Sequence, residues 1–112
     1  MTIQEIIDIQ MSAFNNKSIQ QMMSLYSDDI KVYNFQDLTL AINGKKECEE
    51  MFINLFKQSP NLNAEIIKSI FFDNKVILHE YVSGRNGDDT KKEQVVIFEI
   101  NNQKITRMDV MR

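Results

Sequence analysis

Leu25-Tyr26-Ser27-Asp28-Asp29-Ile30-Lys31-Val32 is the stretch on which the fold turns, because it joins a helical half to a strand-rich half. Upstream of it, Thr2-Ile3-Gln4-Glu5 has the form of a capping box. The Thr hydroxyl accepts the N–H of Glu5, and the Glu carboxylate reaches back to the N–H of Thr2. Ile3, Ile6, Ile7, Met11 and Phe14 then recur at helical spacing. Asn15-Asn16-Lys17 breaks that helix, and Ser18-Ile19-Gln20-Gln21 reads as a second capping box. Ile19, Met22, Met23 and Tyr26 continue on one face, and Ser27-Asp28-Asp29 reads as the turn that ends the second helix. Residues 30–35 alternate as a strand does, with Ile30, Val32 and Asn34 on one face and Lys31, Tyr33 and Phe35 on the other.

Beyond that strand, Asn43-Gly44 marks a turn before a third helix. Cys48, Met51, Phe52, Leu55 and Phe56 form its apolar stripe. Glu47, Glu49 and Glu50 sit near its N-terminal end, where the helix dipole favours acid. Pro60 forbids its continuation. Four strand-like runs follow at 64–72, 76–83, 93–100 and 105–111. Asp73-Asn74, a polar loop over 84–89 and Asn101-Asn102-Gln103 separate them, and such short connections imply an antiparallel meander. A sheet with one apolar face must cover it, and three amphipathic helices are available. The expected class is therefore α+β. Three N-terminal-half helices pack in the concave face of a strongly curved, mostly antiparallel sheet, and residues 1–112 form one domain with an interior cavity.

Composition narrows the function classes. The net charge of -3 and the scattered Lys and Arg argue against nucleic acid as a partner. No apolar run approaches a membrane span, and Met1-Thr2-Ile3-Gln4-Glu5 lacks the basic start of a signal peptide, so the expectation is a cytoplasmic protein with no membrane partner. One Cys and one His cannot build a zinc-type cluster, so no metal site is expected. Three scattered Gly make no phosphate-cradling loop, and no cofactor is expected. Cys48 lies on an apolar stripe and reads as an inert buried thiol. The seven Met residues read as core gap-fillers.

The chain resembles the nuclear transport factor 2-like superfamily, and within it the SnoaL-like and ketosteroid-isomerase-like proteins. The residues that carry the resemblance are Ala13-Phe14-Asn15-Asn16-Lys17-Ser18, Leu25 through Val32, Gly44 opening the third helix, Val76 through Gly84, and Asn102-Gln103-Lys104-Ile105. The resemblance implies a cone-shaped fold that hosts isomerases, cyclases, dehydratases and plain binding or dimerisation modules. By comparison with the ketosteroid isomerases, the general-base Asp falls on Asn34, the oxyanion-hole Tyr near Gln10 and the protonated Asp near Val96. Asn cannot take a proton from carbon near neutral pH, so steroid isomerisation is not expected. Gln10 and Asn34 remain able to orient a polar ligand group.

Two residues are the candidate catalytic groups, as alternatives. His79 is the one side chain of a type that titrates near neutral pH, and it shares a strand face with Ile77 and Tyr81. Glu80 shares the opposite face with Val76, Leu78 and Val82. One of them faces inward. If it is His79, an imidazole and a phenol share the cavity; if it is Glu80, an apolar pocket raises its pKa. The competing structural explanations are a satisfied or interface His and a cross-strand ion pair for Glu80. Inner walls are expected from Gln10, Met11, Phe14, Ile30, Val32, Asn34, Phe52, Phe56, Tyr81, Val96, Phe98 and Met108. The ligand expected is a small, largely hydrophobic molecule, with isomerase-, cyclase- or hydratase-like chemistry. The alternative is a non-catalytic binding or dimerisation module. A homodimer through the convex face of the sheet is expected from the resemblance, and Tyr33 and Phe35 fit such an interface.

Overall fold

The computed structural model describes residues 1–112. Its elements are α1 (Ile3–Asn16), α2 (Ile19–Leu25), β1 (Tyr26–Asn34), β2 (Thr39–Asn43), α3 (Lys45–Gln58), β3 (Asn63–Phe72), β4 (Lys75–Ser83), β5 (Lys92–Asn101) and β6 (Lys104–Met111). The six strands form one open sheet in the order β2-β1-β6-β5-β4-β3. All neighbours are antiparallel except β1 and β6, which run parallel. The α+β cone is therefore as expected, with one strand more than the sequence reading counted.

The helices start where their caps dictate. Thr2 and Glu5 form the full reciprocal box, with Glu5 N donating to Thr2 Oγ1 at 3.1 Å and Thr2 N donating to Glu5 Oε1 at 2.9 Å. Ser18 makes only half of the second box: its Oγ accepts from Gln21 N at 3.4 Å, and the Gln21 side chain does not reciprocate. Lys17 ends α1 in the left-handed conformation. Asn15 then clamps the helix to the sheet, donating to Ala64 O and accepting from Ala64 N.

Two boundaries differ from expectation. The second helix stops at Leu25, and Tyr26 already belongs to β1. Tyr26 pairs with Ile105, and the next pair is Lys31 with Arg107, so Ser27–Ile30 face the single residue Thr106. The Asp28-Asp29 pair expected in a turn is thus an exposed irregularity within the strand, where extra residues bend it. The strand missed altogether is β2, a short edge strand broken by a register shift opposite Val32 and Tyr33.

The core lies between the helices and the concave face. Ile6 and Ile7 of α1, Cys48 and Phe52 of α3, and Val76 and Leu78 of β4 are all buried in it. Each large aliphatic or aromatic side chain so placed stabilises the fold by about 1.5–3 kcal/mol. Phe14, Tyr26, Phe52 and Phe56 stack edge-on or tilted, with ring centroids 5.7–6.3 Å apart. Edge-on pairs of this kind add about 0.5–1.5 kcal/mol beyond area burial. No helix is long and apolar enough to cross a membrane.

Candidate functional site

The concave face of the sheet alternates with its outer face one residue at a time. On β4, Val76, Leu78, Glu80 and Val82 point inward and are buried. Glu80 is the one break in that aliphatic row, and it is only 3% exposed. The β4–β5 register sets Val76 opposite Phe98, Leu78 opposite Val96 and Glu80 opposite Gln94. Gln94 therefore meets the buried carboxyl directly and donates from Nε2 to Glu80 Oε1 at 2.6 Å. Burial pushes the Glu80 carboxyl above the ordinary carboxylate range, while the Gln94 bond and the nearby Arg85 charge pull the other way.

His79, one residue along, points outward. Its Nε2 contacts Glu93, a diagonal cross-strand neighbour on the outer face. Tyr81 shares that face, is exposed, and lies under the Lys91 ammonium. His79 and Tyr81 are thus excluded from the inner wall by the two-residue period of the strand. Of the two alternatives for the catalytic group, the structure places Glu80 inside and His79 outside.

A cavity of about 220 Å³ opens between α1, α3 and the concave sheet face. Of the residues expected on its wall, Gln10, Met11, Phe14, Val32, Asn34, Phe52, Val96, Phe98 and Met108 line it. Phe56 does not; it packs behind Phe14 and Phe52. Ile30 is fully buried in the core beside it.

Gln10 is the polar residue on the buried face of α1, one turn after Ile6 and Ile7. Tyr26 donates its hydroxyl proton to Gln10 Oε1 at 2.9 Å. Burial, with Cys48 close by, raises the Tyr26 phenol well above its ordinary value, so it stays a neutral donor. With its oxygen engaged, Gln10 keeps its amide N–H groups as donors, and the residue lines the cavity. Asn34, at the rim, donates to Thr39 Oγ1 at 3.4 Å. The cavity wall thus carries donors from Gln10 and Gln94 and one protonatable carboxyl, Glu80, set in an apolar surround.

Several lining residues escaped the sequence reading. Gln94 was legible in principle, since the 84–91 loop makes β4 and β5 a hairpin and register follows from it. Arg85 and Arg112 carry no motif of their own; they meet because the β4-β5-β6 order sets the ends of β4 and β6 on either side of the start of β5. Cys48 is fully buried, and burial pushes its thiol up to about 12, which leaves it unreactive. No group of three or more His, Cys, Asp or Glu is placed to hold a metal ion.

With that geometry in place, the likeness to known proteins is informative. The family described as SnoaL-like domain matches residues 9–108. No curated protein matches the chain. Among solved structures, an uncharacterised cystatin-fold protein from Novosphingobium aromaticivorans is similar at a TM-score of 0.90 and 19% identity, covering 100% of this chain and 99% of its own. A proposed polyketide cyclase from Sinorhizobium meliloti is similar at 0.81 and 16% identity, covering 98% and 99%. An LEH-like epoxide hydrolase from M. tuberculosis is similar at 0.83 and 12% identity, covering 97% and 80%. At these identities the structures show a shared fold and nothing finer.

Proposed function

We propose a function from one premise: the chain belongs to the SnoaL-like domain family. The protein binds a small, largely apolar molecule in the inner cavity and performs acid–base chemistry on it without a cofactor. Glu80 is the group that moves the proton. The observation that carries this is a carboxyl 3% exposed, set in an aliphatic strand row, on the wall of a cavity. A buried carboxyl is costly to keep for stability alone. Its raised pKa brings it closer to neutral pH, where a group can both take and return a proton. Gln94 holds one carboxyl oxygen, and the amide of Gln10 offers a donor to a substrate oxygen.

The names of similar structures, a proposed polyketide cyclase and an epoxide hydrolase, fit an isomerase-, cyclase- or hydratase-like reaction. Steroid isomerisation is not proposed. Asn34, Gln10 and Val96 all line the cavity, and none supplies the carboxylate base or acidic donors that reaction needs.

The test is proton exchange at the carbon beside a carbonyl. Cyclohexanone in D2O, followed by NMR, exchanges when a base removes that proton and solvent deuterium returns to the enolate. Wild-type protein should accelerate exchange, and Glu80→Gln should lower the accelerated rate by about 10²–10⁴-fold, the usual share of a general base. Equal rates for the two proteins would show that Glu80 moves no proton.

For the outer face we propose a second copy of this chain. Ile70, Ile77 and Ile97 stand in register across β3, β4 and β5 on the side away from the helices. Ile70 and Phe72 are each 55% exposed, unusual for side chains of that size grouped on one surface. A two-fold contact would set this row against itself.

A further inference from the structure

Beside the inner cavity lies a second, polar one of about 470 Å³. The two share Arg85, Gln94 and Arg112 on their walls. Together they make a chamber that is apolar inside and charged at the mouth. Drug-sized ligands occupy roughly 300–1,000 Å³, so the inner cavity alone suits only a small apolar body, and a longer ligand must reach into the outer space.

The charges at the mouth are uneven in how they are answered. Asp88 is held by Lys92 at 3.2 Å and by the Thr90 hydroxyl at 2.6 Å. Glu93 contacts His79. Arg107, on the outer face, is gripped by Asp109 through two nitrogens and lies 4.2 Å over the Tyr33 ring. Arg85 and Arg112 enter none of the five ion pairs. Glu80 is the acid whose field reaches Arg85, yet it hydrogen-bonds Gln94 instead. Arg85 is also half-buried, so its charge is partly stripped of water, and the Arg112 charge works against it.

The backbone keeps Arg85 in place. Gly84 N donates to Asp88 O at 2.7 Å, and Asp88 N donates to Arg85 O at 3.0 Å, closing a tight bridge around it. A guanidinium so fixed offers several N–H donors in a planar fork, which matches a carboxylate two bonds at a time. Two like charges on one mouth, neither in an ion pair and one of them half-buried, are what an anion placed between them would relieve.

We propose that the ligand of this chamber is an apolar carboxylic acid, its hydrocarbon body in the inner cavity and its carboxylate between Arg85 and Arg112. This rests on the inner cavity being the binding site, and it adds the class of the molecule. The substrate thereby has a fixed direction, with the carbons next to the carboxylate passing Gln94, which lines both spaces, and then Glu80 on the inner wall.

Octanoate and 1-octanol, titrated by calorimetry at low and high NaCl, separate the outcomes. An apolar cavity alone favours the uncharged alcohol, since an ion must shed water to enter. The expected result is the reverse, with octanoate tighter by about tenfold or more, the usual effect of a hydrogen-bonded charge. Salt should weaken octanoate and leave the alcohol unchanged. Arg85→Gln should erase the octanoate advantage over the alcohol. If Arg85→Gln melts early, Arg112→Gln and the salt dependence of the wild type decide instead. Alcohol binding as tight as octanoate would overturn the carboxylate subsite and leave the apolar cavity standing as a binding site. Binding of neither would overturn both.

Discussion

Gln94 and Glu80 face each other directly across the β4–β5 pair, joined by a hydrogen bond of 2.6 Å inside the cavity wall. One carboxyl oxygen is anchored by that bond. The rest of the group pays for its burial, and the folded state binds the proton more tightly than the unfolded chain does.

The pH dependence of stability follows from this. A carboxyl with a raised folded pKa favours folding fully below its unfolded value, 4.5, and loses that contribution as pH rises through the folded value. Urea melts of the wild type should therefore show stability falling across that window and levelling above it. Glu80→Gln removes the titrating group, and its melts should lack this fall, so that the variant gains on the wild type as pH rises. Parallel profiles for the two proteins would mean that Glu80 ionises freely in the fold.

The Tyr26–Gln10 bond predicts a strong coupling. Tyr26→Phe leaves the buried Gln10 oxygen without a donor and should cost about 1–3 kcal/mol. Gln10→Leu should cost a similar amount by stranding the hydroxyl. The double variant should lose less than the sum, because both partners are then gone. Chemical denaturation of the four proteins measures the difference, and simple additivity would show that the bond contributes little.

Gly84 stands where no side chain fits. Its φ is +87°, and an added Cβ would lie 2.3 Å from Asn61 O and 2.5 Å from Asn61 C. Gly84→Ala should cost about 2–5 kcal/mol from backbone strain and overlap together. Gly87, at φ +83°, has nothing within 4 Å of its Cβ position, so Gly87→Ala should cost only the strain, about 1–2 kcal/mol. Thermal melts that rank the two variants the other way would remove the close approach as the reason for glycine at 84.

The outer face predicts a dimer with a simple breaking variant. Wild-type protein should show twice the chain mass in light scattering behind a sizing column. Ile70→Lys should halve that mass, while changing the stability of the isolated chain by no more than about 0.5 kcal/mol, since Ile70 is largely exposed within it. A wild type that elutes at single-chain mass would mean that no second copy covers this face.

Much of the architecture is legible in the residues because helices and strands announce themselves differently. Thr2 and Glu5 locate one start, Pro60 one stop, and the run 76–83 alternates cleanly. Tyr26 misled because its spacing from Met22 and Met23 suits a helix, while its side chain is just as well buried from the first position of a strand. Strand β2 was silent: it is five residues long, on the sheet edge, and exposed at nearly every position, so no burial period marks it. Alternation also established that His79 and Glu80 must part company, but not which turns inward. A cross-strand ion pair was the competing explanation for Glu80, while the company of Val76, Leu78 and Val82 set it on the apolar face. Arg85 and Arg112 lie in chain segments with no motif to join them. Their meeting follows from the β4-β5-β6 meander, which sets the last residues of β4 and β6 at the same end of the sheet.

That sheet order also sets the sequence of events in folding. The β1–β2 hairpin can close locally, but its other edge must pair with β6, whose Ile105 meets Tyr26 from far along the chain. Strand β6 is the sixth in the chain and the third in the sheet, so the sheet stays in two pieces until it arrives. Loops closed over such distances are slow to form. A ribosome delivering the chain would hold an exposed hairpin at one end and an unfinished meander at the other. The chamber's mouth belongs to the second of these pieces, because β5 alone separates the two strands that end beside Arg85 and Arg112.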